Sequence, residues 1–401
     1  MRPRQLAQQT GTSEELFIPL ANYTAPPVPT QALLRSVIGR IQALLVRDQP
    51  KPFIADDRLK KATMDMLDEV VAPPACGPLI AELDRTVVAW MREQPSASSV
   101  KVVVMPPCDE NAIIDAWARQ AGHQIIASPD RDQLIKVPPP PLPDLQGDGL
   151  LVVPRLEAWF IRHRSGLQAV RHLLAALDAS TRPIVIGCNS WAWTFLSKAT
   201  DADLMLPDAV TFVAFDEMRL HRWFGQLATA EETGGVLFRR ATTGSDVLEL
   251  DEDGTPQDDY LRTLAGRSLG IPWVAWHMWR RSLRSRGDDA PLQDAKAMLS
   301  SEKDAVPGME TLWVTALDEY VLPGREEQSA LLVLQALLIH GPLNAGHLRL
   351  VLPLVGESNI VSVLVQSGFL ERKGNLFSVC PAAYPTVRAG LSSAGLPMDR
   401  A

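Results

Sequence analysis

Residues 105–112, MPPCDENA, place two acids, Asp109 and Glu110, in a tight turn between the β-branched run KVVVM and an amphipathic stretch starting near Ile113. Strand, turn and helix make the outline of a phosphate-binding loop. Such a loop works because glycines turn backbone N–H groups toward the phosphates, a lysine neutralises their charge and a Ser or Thr holds Mg²⁺. Here Pro106 and Pro107 remove backbone donors, no lysine or glycine is present, and two carboxylates stand where phosphates would sit. At ~4 Å and an effective dielectric near 20, each acid would oppose a phosphate charge by roughly 4 kcal/mol. A helix N-terminus favours an anion, but Asp109 and Glu110 already supply that charge in its first turn.

Other chemistry is sparse. There is no H-E-x-x-H and no G-x-S-x-G, and His163, His172, His221, His277, His340 and His347 stand singly on helical patterns. The four cysteines, Cys76, Cys108, Cys188 and Cys380, are scattered without C-x-x-C spacing, which implies buried reduced thiols and a reducing compartment. No metal site is expected. Trp273, Trp276 and Trp279 recur at i, i+3, i+6 and form one stripe of a helix. That stripe either packs a lid on a core or, with Arg280 beside it, meets a partner. The strips FIRHRSGLQAVRH and WRRSLRSR are the local basic faces, in a chain whose net charge of −8 argues against wholesale capture of nucleic acid.

Around these residues the pattern alternates. Strands are predicted at 101–105, in QIIAS, at 150–153, at 183–188 and in VTFVAF, and helices at about 110–121, across LEAWFIRHRSGLQAVRHLLAAL, at 190–198 and in DEMRLHRWFGQL. Buried β-rich runs alternating with helices predict a parallel sheet with helices on both faces. Before this unit lie helical patterns at 33–46, in MDMLDEVV and at 79–91. After it come an acidic loop at 246–259 and two helices punctuated by Gly270 and Pro272. From 325 three helices and two short strands around Lys373-Gly374-Asn375 predict a winged helix-turn-helix. With 401 residues, 46% hydrophobic and 21% charged, the chain reads as an ordinary globular protein of two or three domains. No run reaches the length of a membrane span, and no secretory signal is evident at the N-terminus. A cytoplasmic location is expected.

This order resembles the AAA+ and STAND class of P-loop ATPases, closest in arrangement to archaeal origin-recognition-like ATPases and their bacterial relatives, over roughly residues 100–395. The resemblance sets MPPCDENA, with Pro107, Asp109, Glu110 and Asn111, in the Walker A slot. It sets LLVVPRLE in the Walker B slot, where Pro154 and Arg155 replace the acid pair that holds metal and Glu157 follows two residues later. An arginine at an Mg²⁺ site is repulsive and cannot act as a base. PIVIGCNSW ends on Asn189, matching the polar sensor-1 residue, although helix capping worth ~1 kcal/mol is the plainer role. Arg262 or Arg267 would face the old nucleotide cleft from the sensor-2 region.

The expectation is therefore an α/β, P-loop NTPase-like core at 99–245, preceded by a loose arm (1–30) and a helical region (31–98). An acidic loop and helical lid (246–290), a linker (291–324) and a winged helix (325–401) follow it. Loss of both hydrolytic motifs together implies a non-hydrolysing regulator or scaffold with no cofactor and no catalytic residue, acting on a protein partner through Trp273, Trp276, Arg280, Arg372 and Lys373. Two alternatives stand beside it: a DNA-associated regulator using the wing and the 279–286 strip, and a protein that binds ATP or ADP without Mg²⁺ in a non-standard site. The third helix of the C-terminal domain, ESNIVSVLVQSG, contains no Lys or Arg, which disfavours the DNA reading.

Overall fold

A computed structural model describes residues 16–29, 54, 59–61, 77–93, 99–206, 208–228, 236–286, 310–324, 327–354 and 358–399. The helices expected at 33–46 and in MDMLDEVV lie outside the described residues, as does most of the linker.

Strand β1 (Phe17–Pro19) is followed by β2 (Leu59–Lys61), helix α1 (Gly77–Glu93), β3 (Val100–Met105), α2 (Ile113–Gln120), β4 (Gln124–Ile125) and β5 (Leu151–Val153). Then come α3 (Gln168–Asp178), β6 (Ile184–Asn189), α4 (Ser190–Thr200), β7 (Val210–Phe212), α5 (Glu217–Ala228) and β8 (Val236–Arg240). The main sheet has the order β1-β7-β3-β6-β5-β4, parallel throughout except for β1. Of its four inner strands, β3, β5 and β6 are Val/Ile-rich and buried except at Lys101 and Asn189, as a sheet covered on both faces requires. The connection from β3 to β4 runs one way across the sheet, and those from β5 to β6 and β6 to β7 run back. Right-handed crossovers then put α2 on one face and α3 and α4 on the other. The result is a mixed α/β fold with a parallel-rich central sheet.

Three local expectations change. Residues 17–19 are not a loose arm: they pair antiparallel with β7 and cover its edge. The long helix expected from 156 to 177 is broken, with one 3₁₀ turn at Leu156–Trp159, extended backbone at Phe160, and α3 starting at Gln168. The interruption is set at Gly166, whose N–H bonds His163 and whose carbonyl accepts from Ile161. A Cβ there would stand 2.2 Å from the Ile161 carbonyl oxygen, so the turn admits only glycine. The third change is a second sheet.

That sheet orders β2, β9 (Leu283–Arg286), β10 (Glu310–Val314) and β8, with β8 and β10 parallel and the other pairs antiparallel. It takes the end of the expected lid helix and part of the expected linker. Helices α6 (Tyr260–Arg267) and α7 (Pro272–Ser282) lie between β8 and β9, and Gly270 between them holds φ +72°.

The C-terminal unit runs α8 (Glu327–His340), β11 (Leu343–Asn344), α9 (Ala345–Val351), α10 (Ile360–Gln366), β12 (Leu370–Lys373), β13 (Leu376–Val379) and α11 (Tyr384–Ser393), its strands in the order β11-β13-β12. Helix α8 is apolar all round and buried from Ala330 to His340 except at Leu332. Such a helix cannot sit at a surface. It packs on α4, and one continuous hydrophobic core joins this unit to the main sheet. Among the described residues no helix is long and apolar enough to cross a membrane.

Candidate functional site

Strands β3 and β6 are neighbours, with Met105 opposite Asn189, and their onward connections leave toward opposite edges of the sheet. Their C-terminal ends therefore frame the crevice where open α/β sheets receive ligands. A cavity of about 260 Å³ lies there, lined by the turn after β3, by Pro154, Arg155 and Glu157 after β5, and by Cys188 and Asn189. The C-terminal unit supplies the remaining wall, with Leu337 and Leu338 of α8 and Ser378 and Val379 of β13.

The turn is built around Asp109. Its Oδ1 accepts the Asn111 N–H at 3.0 Å and its Oδ2 accepts the Ile113 N–H at 2.9 Å. These are donors at the start of α2, the groups that would otherwise face a bound anion. Burial pushes the Asp109 carboxyl up to about 6, against the pull of those two N–H groups. Cys108 and Ala112 take φ +64° and +46°, so the turn is held in a left-handed conformation without glycine.

Neighbouring Glu110 points the other way. One oxygen accepts from His277 Nε2 at 2.9 Å and the other from Lys373 Nζ at 2.5 Å. The hydrogen bond from His277, seconded by that from Lys373, holds the Glu110 carboxyl down at about 2. An ionised carboxylate only accepts, so His277 carries its proton on Nε2. The lid helix α7 also grips the turn through Trp273, whose indole N–H donates to the Pro107 carbonyl at 2.9 Å.

At the end of β5, Arg155 donates to Glu157 Oε1 at 3.1 Å, while the Asn189 N–H donates to Glu157 Oε2 at 3.2 Å. Glu157 is thus buried as a paired carboxylate. Pro154 approaches β6 so closely that a Cβ on Gly187 would lie 2.2 Å from the Pro154 carbonyl oxygen. Asn189 caps α4, its Oδ1 accepting the Ala192 N–H at 2.8 Å, and its side-chain amide donates to the Ile339 carbonyl at 3.4 Å. Beside it Arg131 donates to the carbonyls of Phe160 and His340. Burial pushes the guanidinium down to about 10. The His340 ring is buried, accepts the Arg162 N–H at 3.4 Å and leaves its Nδ1 without a partner. Burial first, then the charges of Arg131 and Arg162, hold it well below the usual histidine range.

Sequence reasoning thus brings the expected Pro107, Asp109, Glu110, Pro154, Arg155, Glu157 and Asn189 to one cavity, with Asn111 bonded to Asp109 beside it. Other candidates lie elsewhere. Arg262 pairs with Glu217 of α5 on an exposed face, at 2.6 and 2.8 Å, and neither it nor Arg267 lines the cavity. Trp273 and Trp276 are 2% and 5% exposed and Trp279 is fully buried, stacked on Phe224 at 4.2 Å. The stripe is spent on internal packing and presents no face to a partner. Arg280 is buried as well, its guanidinium 5.0 Å from the Trp276 ring. Arg372 is exposed, bonded to the Gly374 carbonyl and lying over Phe377, while Lys373 is held by Glu110. His277 and His340, read from sequence only as single histidines on helical patterns, belong to the site region, as does Arg131, which sequence reasoning missed. The all-round apolarity of 330–340 was the available signal that α8 had to be buried against something.

The residues present do not fit Mg-nucleotide. The N–H donors at the start of α2 go to Asp109, Lys373 is neutralised by Glu110, and Arg155 stands where a metal-holding acid is required. Cys108, Cys188 and Cys380 are free thiols, and Cys76 lies outside the described residues. Among the described residues no group of three or more His, Cys, Asp or Glu is arranged to hold a metal ion.

No protein-family model matches the sequence, and no curated protein matches it. Among solved structures, the chain is similar to Cdc6p from Pyrobaculum aerophilum, with 12% identity, a TM-score of 0.30, and coverage of 80% of this chain and 94% of that one. It is also similar to the RuvB Holliday junction branch migration motor of Thermotoga maritima, with 15% identity, a TM-score of 0.30 and coverage of 80% and 95%. A third is the Aeropyrum pernix ORC2 protein, with 10% identity, a TM-score of 0.31 and coverage of 79% and 93%. Likenesses this remote carry no argument about fold, ligand or activity, and the architecture described above rests on the strands of this chain itself.

Proposed function

We propose that this chain is a non-hydrolysing AAA+/STAND-like pseudo-ATPase that acts as a regulator or scaffold through protein contacts, with residues 327–393 serving as a winged helix. The observation that carries the reading is Asp109, whose carboxylate takes the Asn111 and Ile113 N–H groups at the start of α2. A phosphate arriving there would have to displace a covalently tethered anion and meet the charge of Glu110 nearby. Arg155 in place of a metal-holding acid removes the second requirement of hydrolysis.

Protein contact is favoured over DNA because the third helix of the C-terminal unit lacks cations and several cations of the wing and the basic strip are engaged by acids. Helix α10 (IVSVLVQ) has no Lys or Arg, Lys373 is paired with Glu110, and Arg281 and Arg284 of the basic strip both face Asp318. Phosphate contacts dominate affinity for nucleic acid.

The test is calorimetric titration of the full chain with Mg-ATP and with ADP, alongside a phosphate-release assay. The expected result is no saturable heat and no release above buffer. Micromolar, Mg²⁺-dependent binding or steady phosphate release would overturn the reading.

A further inference from the structure

Glu110 occupies an unusual position: one carboxylate of the turn after β3 meets two separate elements, α7 through His277 and the β12–β13 hairpin through Lys373. Both Glu110 and Lys373 line the cavity. We propose that Glu110 is a latch that ties the hairpin and the lid helix across the mouth of this cavity, and that its release opens the cavity to solvent.

Three observations separate this contact from the rest of the interface. First, the body of the C-terminal unit is anchored by two buried bonds, Ser190 to Asp399 at 2.6 Å and Trp191 to Tyr384 at 3.1 Å, and by the partly buried bond from Arg131 to the His340 carbonyl. Those bonds, and the core they sit in, keep α8 and α11 in place. Second, the hairpin end is different, because Arg372 to Leu376 are all exposed. Its Lys373 side chain is 68% exposed and its partner Glu110 30% exposed. Third, an ion pair at such exposure holds weakly and is screened by salt. A strong bond would weld the mouth shut and no bond would leave it open. A weak one allows closure and opening at equilibrium, with the hairpin end as the moving part and the buried anchors as its base.

Cysteine placement supplies the readout. Cys108 and Cys188 both line the cavity behind the latch, Cys108 half-buried and Cys188 2% exposed at the end of β6, so labelling at either thiol reports opening of the mouth. Burial holds both thiols well above their usual range, so neutral-pH labelling is slow and sensitive to access.

The experiment is maleimide labelling of the full chain, with rates resolved at each cysteine by peptide mass spectrometry. Lys373→Glu is expected to speed Cys108 labelling about two- to fivefold, and Glu110→Gln, which weakens both arms, up to about tenfold, with the urea midpoint of unfolding held close to that of the native chain. Raising NaCl to 1 M should accelerate Cys108 labelling in the native chain and leave Glu110→Gln unaffected. The double variant Glu110→Lys/Lys373→Glu, which restores an ion pair of reversed sense, should return the rate toward that of the native chain. An unchanged Cys108 rate in both single variants would overturn the proposal. So would faster labelling accompanied by a matching fall in the urea midpoint, because that pattern reports loss of the whole fold and not opening of the mouth.

Discussion

Replacing Asp109 with Asn should make this protein more stable at neutral pH, although it removes a carboxylate that makes two hydrogen bonds. Burial raises the Asp109 carboxyl from 3.8 to about 6. A group whose folded value lies above its unfolded value binds its proton more tightly in the folded state, so stability falls as pH rises through that window and stays lower above it. At about 1.4 kcal/mol per unit, keeping Asp109 ionised at pH 7 costs about 3 kcal/mol. Asn retains one acceptor oxygen for the Asn111 and Ile113 N–H groups, and the lost second bond costs about 1 kcal/mol. The net gain at pH 7 is about 2 kcal/mol. At pH 4.5 most of the penalty is absent in the native chain, and the two proteins should have nearly equal stability. Urea unfolding followed by circular dichroism at both pH values measures this difference. A variant less stable than the native chain at pH 7, or a difference that does not change between the two pH values, would refute the reasoning. Either result would mean that the turn needs its charge, as a device built to attract a cation would.

Other outcomes follow from the same geometry. Arg182 donates to the carbonyls of Gln146, Asp148 and Gly149 and to the Gln124 side chain, so Arg182→Met should cost about 2–4 kcal/mol. Limited proteolysis should then cut faster within residues 137–149. His340, buried and held neutral between Arg131 and Arg162, protonates more readily in the unfolded chain. Stability should therefore fall by up to about 1.4 kcal/mol per pH unit below 6.5, and His340→Leu should flatten that acid limb of a Tm profile. Trp279→Ala should lose about 3–5 kcal/mol in urea unfolding, because the ring stacks on Phe224 and packs against Phe238 inside the core. A loss below 1 kcal/mol would show that the stripe is not spent on packing.

Much of this protein was written in local sequence. VVVM, LVV and IVIG are buried β-branched runs, and each precedes a helix, which is enough to make the strands parallel and to put Met105, Val153 and Asn189 at the same end of the sheet, though not to order the strands. The wrong chemistry of the turn was equally legible, since proline cannot donate and an acid opposes a phosphate whatever the fold around it. Asn189 as a helix cap is a local property of Asn before SWAW, and it holds.

Tertiary structure decided the rest, for a single reason: contacts between residues far apart in the chain leave no periodic trace. Residues 236–240, 283–286 and 310–314 join one sheet although each run is too short to announce a partner. The Trp273–Trp276–Trp279 stripe has the same spacing whether it faces Phe212 and Phe224 or a second protein, and only packing showed that it faces inward. Glu110 reads as a helix-start acid from its neighbours in sequence. It becomes the meeting point of His277 and Lys373, 167 and 263 residues away, only when the fold brings the C-terminal hairpin over the end of β3.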